Sequence, residues 1–532
     1  MKHSTPTIGT VTLHAVFAAF TLTVLASAAS SETPNGASSA RIVPGSMVRI
    51  GSVDLRFQSY NVEMIEVTGG RFWKPYGSVG EKPPGLPADV PFGMDSSLYE
   101  SRPPIDLANP RLRELAAALG PAYVRVSGTW ANTTYFYNGD GEPPATPRGF
   151  SGVLTRSEWK GVVDFAHAVN AQIVSSFATS PGARDARGVW TSKEANTVIA
   201  YTTSVGGLIA AAEFMNEPTF AAMGGAPKGY DATSYGRDIV VFKKFLRRAS
   251  PKTIFLGPGS VGEGVPLAPA ERMLKSEDLL AAAGPVFDVF SYHYYGRVSQ
   301  RCAKAMPSAG TNEQEALSEE WLSRTDKVEA FYAALRDKFE PRRPLWITET
   351  ADAACGGNPW ASTFLDSFRY LDQLGRLARA GVQVVIHNTL ASSDYGLLDE
   401  KSFLPRPNYW AAMLWHKLMG ITVLDAGPSR EGFHIYAQCL RGQPGGVALL
   451  AINNSRTQTT TFSVSQPAER YSLTAATLES GIARLNGKEL RLQANDALPT
   501  LAPVAQSRGD VALAPASITF LAVPAAQNTA CR

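Results

Sequence analysis

The amino-acid sequence predicts an α/β protein, a (β/α)8 TIM barrel followed by a C-terminal β-sandwich domain. Two observations support this fold class. Between residues 56 and 419, eight strand-like segments alternate with stretches whose apolar residues recur at helical spacing. Beyond residue 420, short runs of alternating apolar and polar residues are separated by turn residues. A doubly wound open sheet is the alternative for the first region, but no glycine-rich phosphate turn follows its first strand.

The overall composition is that of a globular protein. The 532 residues include 50 Lys and Arg and 47 Asp and Glu, which gives a formal net charge of +3, and 44% of them are hydrophobic. That apolar content is too high for a disordered chain. Because the net charge is close to zero and the sequence has no long basic run, nucleic acid is excluded as an expected partner.

The first 28 residues resemble a secretory signal peptide. Lys2 supplies a basic start, residues 13–25 are mostly apolar, and Ala26-Ser27-Ala28 forms a small-residue cleavage pattern. A membrane anchor is the alternative, although the apolar core is shorter than the ~20 residues that a spanning helix needs. We therefore expect a secreted or periplasmic protein that does not contact a membrane after cleavage, with a disordered tail over residues 29–40.

The barrel, residues 56–419, is justified by strand candidates that end in polar or acidic residues. The eight predicted strands cover residues 57–63, 122–129, 172–178, 212–217, 253–257, 288–294, 345–349 and 383–388. Helical patterns cover residues 111–119, 157–170, 235–249, 323–338, 363–380 and 410–419. Functional side chains of such barrels lie at the carboxyl ends of the strands.

The β-sandwich is predicted over residues 420–532. Its strand candidates cover residues 433–437, 446–452, 459–464, 471–474 and 516–523. The early segment Ser46-Met47-Val48-Arg49-Ile50 alternates in the same way. We therefore expect a strand within residues 41–55 to join the C-terminal sheet.

Two glutamates close strands that face each other across the mouth of such a barrel. Glu217 follows Phe214-Met215-Asn216 at the end of the fourth strand, and Glu349 follows Trp346-Ile347-Thr348 at the end of the seventh. Paired carboxylates indicate glycoside hydrolysis, in which one protonates the leaving oxygen and the other attacks the sugar or activates water. A purely structural role for each glutamate is the alternative. Glu213 competes with Glu217 but lies deeper in the barrel wall.

Three sets of residues form a recognisable pattern. They are Asn216-Glu217-Pro218 with Glu349, the segment Phe287-Asp288-Val289-Phe290-Ser291-Tyr292-His293-Tyr294-Tyr295, and above all Asp394-Tyr395-Gly396-Leu397-Leu398-Asp399-Glu400 leading to Pro405-Arg406-Pro407-Asn408-Tyr409-Trp410. In these motifs the chain resembles glycoside hydrolase family 79, the heparanase and β-glucuronidase family, in which strand four carries the acid/base and strand seven the nucleophile. The resemblance runs from about residue 45 to residue 531.

The resemblance implies a role for each matching residue. Glu217 is the general acid/base, with a raised pKa, and Glu349 is the nucleophile of a retaining mechanism. The other implied substrate-binding residues are Asn216 at the sugar 2-hydroxyl, Tyr294 beside Glu349, Tyr395 at the uronic acid carboxylate, and Asn61, Glu63, Arg125 and Thr129 at the ends of strands one and two. For Arg125, a buried structural ion pair remains an alternative.

The resemblance also implies a disulfide between Cys439 and Cys531 in the β domain. Cys302 and Cys355 follow the sixth and seventh strands, and they either join adjacent barrel loops or stay free thiols. The sequence has no Cys-x-x-Cys or paired histidines, so we expect neither a metal nor another cofactor.

These expectations combine into a secreted, retaining exo-β-glucuronidase that removes glucuronic acid from glycans or glycosides. The nearest alternative is an endo-β-glucuronidase on heparan sulfate, which would benefit from basic residues along its cleft. A related glycosidase for neutral sugars is a third possibility. A carbohydrate-binding barrel without catalysis is the fourth, but the presence of both Glu217 and Glu349 argues against it.

Overall fold

The computed structural model describes residues 40–76, 96–143, 145–269, 273–302 and 312–532. The predicted signal peptide lies outside the described residues, as does the predicted tail apart from Ala40, which begins the first strand. Among the described helices, none combines the length and the apolar character that crossing a membrane requires.

Strands and helices alternate through the first three quarters of the chain, and strands follow one another in the last quarter. The strands are β1 Ala40–Ile42, β2 Arg49–Ser52, β3 Gln58–Asn61, β4 Gly70–Trp73, β5 Tyr99–Arg102, β6 Ala122–Val126, β7 Thr134–Tyr137, β8 Gly152–Thr155, β9 Ala171–Ser175, β10 Ile209–Glu213, β11 Ile254–Ser260, β12 Val289–Tyr295, β13 Leu345–Ala351, β14 Val384–His387, β15 Met419–Leu424, β16 His434–Leu440, β17 Val447–Asn453, β18 Thr460–Val464, β19 Ala468–Ala475, β20 Ala483–Leu485, β21 Lys488–Glu489, β22 Val504–Gln506, β23 Gly509–Leu513 and β24 Ser517–Val523. The α-helices are α1 Met64–Thr68, α2 Pro110–Ala117, α3 Arg156–Ala168, α4 Lys193–Ser204, α5 Ala232–Ala249, α6 Ser276–Ala283, α7 Glu319–Leu322, α8 Arg324–Phe339, α9 Phe364–Ala380 and α10 Pro407–Leu418.

Eight parallel strands close into a barrel in the order β3, β6, β9, β10, β11, β12, β13 and β14. Strand β14 pairs with β3 and so completes the ring. Each of the eight predicted strands overlaps one of these, which confirms the (β/α)8 prediction. Helices α4 and α6 and the β4–β5 and β7–β8 pairs are additions that the sequence pattern did not single out.

One layer of large apolar side chains closes the lower part of the barrel interior. Its members come from seven of the strands and are Tyr123, Val174, Ala211, Leu256, Val289, Trp346, Val384 and Ile386. Two residues further along their strands, and therefore on the same interior face, lie Arg125, Glu213, Ser291 and Thr348. The barrel interior thus changes from apolar to polar toward the carboxyl ends of the strands.

The C-terminal region contains two further sheets. Strands β2, β15–β17, β19–β22 and β24 form a nine-stranded sheet, and β1, β18 and β23 form a three-stranded sheet. Strand β2 pairs antiparallel with β15, so an N-terminal strand does join the C-terminal sheet. Along β17, Leu449 and Ala451 belong to the core between the two sheets, whereas Leu450 and Ile452 belong to the core shared with the barrel helices. This alternation packs the large sheet on both faces.

A buried charged cluster links helix α9 to strand β16. His434 lies 2.6 Å from Asp372 and 2.6 Å from Glu319 through its two ring nitrogens. Burial alone would lower the pKa of His434, but the two carboxylates outweigh it and raise the pKa to about 9. The imidazole is therefore charged at neutral pH, as both of its partners require.

Both cysteine pairs form disulfides. Cys439 and Cys531 are bonded in the β domain, and Cys302 and Cys355 are bonded between the loops that follow β12 and β13. Arg301, next to Cys302, is buried and donates to the Cys355 carbonyl at 2.6 Å and to the Asp394 carboxylate at 2.5 Å. The second disulfide and this arginine therefore tie together three loops at the mouth of the barrel.

Candidate active site

Glu349 lies on β13, and its side chain is buried. Tyr295 donates its hydroxyl hydrogen to Oε1 at 2.6 Å, and Arg125 Nη1 donates to Oε2 at 2.8 Å. The pairing register of β13 shifts beside Glu349 on both neighbouring strands. Because such irregularities re-aim side chains, the shift explains how Glu349 reaches these donors. The two bonds fix the position of the carboxylate.

Glu217 lies in the loop after β10, which ends four residues earlier at Glu213. Its backbone is left-handed, with φ 48° and ψ 63°, directly before a 3-10 turn that begins at Pro218. A non-glycine residue in this region is strained, and such strain concentrates at functional sites. The side chain is 15% exposed, against 7% for Glu349, so Glu217 is the more accessible carboxyl group of the two.

The two carboxyl groups face the same small space. One carboxylate oxygen of Glu217, one of Glu349 and a ring nitrogen of His293 all lie within 4.8 Å of one another. Burial and the charge of Glu349 raise the pKa of Glu217 well above its usual range. The site therefore combines a carboxyl group that holds its proton with a carboxylate that is held by two donors.

Arg125 lies beneath both carboxyl groups and is fully buried. Its guanidinium makes two hydrogen bonds with Glu213, at 3.0 and 2.8 Å, and also contacts Glu349 and Asn216 at 2.8 Å and Asn61 at 3.3 Å. The side chain is fully engaged, and 1% of its surface is exposed. The buried ion pair that was the alternative for Arg125 is therefore present, and a contact between Arg125 and the substrate stays a prediction.

Glu213 is equally a structural residue. It accepts hydrogen bonds from Arg125, from Ser291 Oγ at 2.8 Å and from Thr348 Oγ1 at 2.7 Å, and none of its surface is exposed. With four donor atoms around it, this buried carboxylate is the ion-pair partner of Arg125. Glu213 therefore does not compete with Glu217 for a role at the accessible site.

His293 connects Arg125 to Glu217. Its Nε2 lies 3.2 Å from Arg125 Nη2, and its Nδ1 lies 3.1 Å from Glu217 Oε1. Burial and the neighbouring guanidinium lower the pKa of His293 well below its usual range, so the ring is neutral. Because arginine only donates, Nε2 must accept and Nδ1 must carry the hydrogen that points at Glu217. Glu217, His293 and Glu349 also have metal-ligand spacing, but a protonated Nδ1 is not a metal ligand.

A second polar group lines the site opposite Glu217. Asn388 Nδ2 lies 3.0 Å from Glu63 Oε1, 3.0 Å from the Tyr295 hydroxyl and 3.1 Å from the Tyr395 hydroxyl. Burial and the charge of Glu349 raise the pKa of Glu63 well above its usual range. The Glu63 side chain also closes a capping box with Glu66 at the start of α1, and this fixes the carboxyl group beside Asn388.

The remaining predicted site residues divide into those that converge here and one that does not. Asn216 lies next to Arg125, and its Nδ2 is 3.5 Å from Thr129 Oγ1. Asn61 also contacts Arg125. Tyr294 does not lie beside Glu349: it belongs to the core under the helices, and Tyr295 takes the predicted place. The prediction for Tyr294 is wrong because residues alternate along β12, which turns His293 and Tyr295 inward and Tyr294 outward.

Sequence reasoning missed three residues at this site: His293, Tyr295 and Asn388. His293 and Tyr295 were within a recognised motif, and a correct choice of the inward face of β12 would have found both. Asn388 ends the eighth predicted strand, where a polar residue at a barrel mouth is itself a signal.

The sequence is similar to those of several known proteins. The chain is 28% identical to "Heparanase-like protein 1" of Arabidopsis thaliana over 499 residues, which cover 81% of this chain and 87% of the relative. It is 26% identical to mouse heparanase over a region that covers 86% of this chain and 98% of the relative. It is also 28% identical to "Baicalin-beta-D-glucuronidase" of Scutellaria baicalensis, over 46% of this chain and 50% of the relative.

Solved structures share the fold at lower sequence identity. A 4-O-α-L-rhamnosyl-β-D-glucuronidase from Fusarium oxysporum superposes with a TM-score of 0.62 at 14% identity, covering 91% of this chain and all of the other. A family 51 arabinofuranosidase from Xanthomonas axonopodis pv. citri superposes with a TM-score of 0.58 at 17% identity, covering 91% of this chain and 99% of the other. The family description "Glycosyl hydrolase family 79, N-terminal domain" matches residues 96–375, which is more than half of the chain. The chain is therefore a glycoside hydrolase and belongs to family 79.

Proposed function

We propose that this enzyme is a retaining exo-β-glucuronidase, with Glu217 as the acid/base and Glu349 as the nucleophile. The observation that carries the proposal is that one carboxylate oxygen of Glu217 and one of Glu349 lie within 4.8 Å of each other. Retaining glycosidases place the two groups ~5–5.5 Å apart, whereas inverting enzymes leave ~6.5–9.5 Å for a water molecule. The short separation favours direct attack by one carboxylate on the sugar.

The surroundings of the two groups assign their roles. Glu349 is held by Arg125 and Tyr295 as an anion, which suits attack on the anomeric carbon. Glu217 keeps its proton because burial and the Glu349 charge raise its pKa, so it protonates the leaving oxygen. Once the glycosyl ester forms, the Glu349 charge is gone and the pKa of Glu217 falls. Glu217 then accepts a proton from the water that hydrolyses the ester.

The polar group around Asn388 suits the sugar itself. Glu63 presents a buried carboxyl group to a sugar hydroxyl, and Asn216, whose Oδ1 accepts from Arg125, keeps Nδ2 to donate. Tyr395 presents a hydroxyl that can donate to the carboxylate of a uronic acid without forming a salt bridge. The names of the relatives, heparanase and β-glucuronidase, support a uronic acid in this position.

The ion pairs that the nearby arginines form with carboxylates favour exo action on unsulfated chain ends. Arg102 pairs with Glu400, Arg125 with Glu213, Arg301 with Asp394 and Arg406 with Asp399. Arginines already paired with carboxylates contribute little to binding sulfate. The likeness to heparanases instead favours endo action on heparan sulfate, which is the second candidate. Two disulfides and the pattern of residues 1–28 support export.

The test compares substrates and variants. We expect wild type to release p-nitrophenol from its β-glucuronide and not from its β-xyloside, and NMR to show the β-anomer as the first product. Glu217→Gln and Glu349→Gln should each lower kcat by roughly 10³-fold or more with an unchanged unfolding temperature. An α-anomer first product refutes retention. Shortening of heparan sulfate without release of free uronic acid selects endo action, and sugar binding without turnover selects the non-catalytic alternative.

A further inference from the structure

The backbone at Asn216, directly before Glu217, is hydrogen-bonded by a single distant side chain. Asn132 Oδ1 accepts from the Asn216 N–H at 2.8 Å, and Asn132 Nδ2 donates to the Asn216 carbonyl at 3.0 Å. Strand β10 has already ended at Glu213, so its ladder of hydrogen bonds does not extend to Asn216. The side-chain amide of Asn132 therefore takes the place of a neighbouring strand.

Asn132 is itself rigidly placed. It is completely buried in the 3-10 turn Thr129–Thr133, which follows the second barrel strand. Its own carbonyl accepts from the N–H groups of Thr179 and Ser180, after the third strand, at 2.9 and 3.0 Å. Gly224, in the loop after Glu217, passes so close that an added Cβ would lie 3.0 Å from Asn132 Nδ2. One asparagine thus joins the loops that follow strands two, three and four.

We propose that Asn132 is a positioning residue that fixes the strained backbone of Glu217 and thereby aims its carboxyl group at the leaving oxygen. This inference rests on the proposed role of Glu217 as the acid. The left-handed conformation at Glu217 persists only where the surroundings hold it. Two reciprocal bonds to the preceding residue fix both the position and the direction of the chain at that point. Asn132 itself does not touch the substrate.

The distinguishing readout is the dependence of rate on the leaving group. A dinitrophenyl glycoside needs no proton to leave, whereas a phenyl glycoside does, and kcat/KM reports only the first chemical step when glycosylation is irreversible. We expect Asn132→Ala to lose roughly 100-fold in kcat/KM on phenyl β-glucuronide, since a misplacement of about 1 Å costs on that order. The loss on the dinitrophenyl substrate should be at least about tenfold smaller.

Two further variants separate positioning from folding. Asn132→Asp keeps the acceptor for the Asn216 N–H and loses the donor. We define the leaving-group ratio as kcat/KM on the dinitrophenyl substrate divided by kcat/KM on the phenyl substrate. For Asn132→Asp this ratio should lie between those of wild type and Asn132→Ala. Asn453→Ala is the matched control, because Asn453 is also completely buried and donates to three backbone carbonyls, but within the β domain. It should lower the unfolding temperature and leave the ratio unchanged.

If a folded Asn132 variant loses kcat/KM equally on both substrates, so that its leaving-group ratio equals that of wild type, the proposal is overturned. If Asn132→Ala does not fold, Asn132→Asp decides by the same criterion. Wild-type turnover of a different aryl glycoside, and not of the glucuronides, refutes the proposed substrate alone. The leaving-group comparison on that glycoside then decides the role of Asn132.

Discussion

The contact of Tyr295, rather than Tyr294, with Glu349, the proposed nucleophile, can be tested by removing one hydroxyl group. Tyr295→Phe deletes the 2.6 Å hydrogen bond to Glu349 Oε1 and leaves that carboxylate with Arg125 as its remaining donor. A hydrogen bond to a charged group contributes about 1.5–3 kcal/mol. If the bond is equally important in the transition state, kcat/KM should fall by roughly 10- to 150-fold.

Tyr294→Phe is the matched control, since Tyr294 is the next residue on the same strand and is also buried. Its ring faces the helices, so the variant should lose stability and keep its kcat/KM. The assay is hydrolysis of an aryl β-glucuronide at several substrate concentrations, combined with thermal unfolding of each variant. A larger loss of activity in Tyr294→Phe, or near-normal activity in Tyr295→Phe, would refute the reasoning about the inward face of β12.

Three other predictions concern His434, His293 and the disulfide at the barrel mouth. The pKa of His434, about 9 in the folded protein against 6.5 ordinarily, makes its cluster fully stabilising below pH 6.5 and progressively weaker as the pH rises to 9. The deficit in unfolding temperature of His434→Gln should therefore shrink over that range, and a constant deficit contradicts the charge on the imidazole. His293→Phe removes a donor from Glu217, so the pKa of Glu217 should rise and the alkaline limb of the kcat/KM profile should move to higher pH; a shift to lower pH would show that the bond runs the other way. Replacing Cys302 and Cys355 by serine opens a 53-residue loop, which costs about 4 kcal/mol in the chain-entropy model, and should also raise KM. The equivalent change in the other disulfide should lower the unfolding temperature and leave KM unchanged.

Local sequence patterns were sufficient for the barrel. Its strands are buried on both faces and read as apolar runs that end in polar residues, so their number and order could be recognised without a structure. The residues at which the barrel strands end were harder to predict. The fourth strand was predicted to reach Glu217 but stops at Glu213, because the chain turns into a left-handed conformation before Pro218. No local propensity indicates that turn, since it depends on Asn132 from another loop.

Burial on both faces also explains the error at Tyr294. All seven residues of β12 are buried, so no polar and apolar alternation marks which side faces the barrel interior. The register shift between Tyr292 and His293 against the neighbouring strand is a further feature that the sequence does not reveal. The choice between Tyr294 and Tyr295 therefore needed the three-dimensional arrangement of the barrel strands.

The sequence alone determined the fold class and predicted that Glu217 and Glu349 lie close together, because barrel periodicity places the ends of strands four and seven at a common mouth. Only the tertiary structure decided how that site is held together. Arg125, His293, Asn388 and Asn132 act through partners that are distant in the sequence, and a hydrogen bond depends on distances and angles that only the closed barrel sets. For the same reason only the structure shows that Arg125 forms buried ion pairs with Glu213 and Glu349.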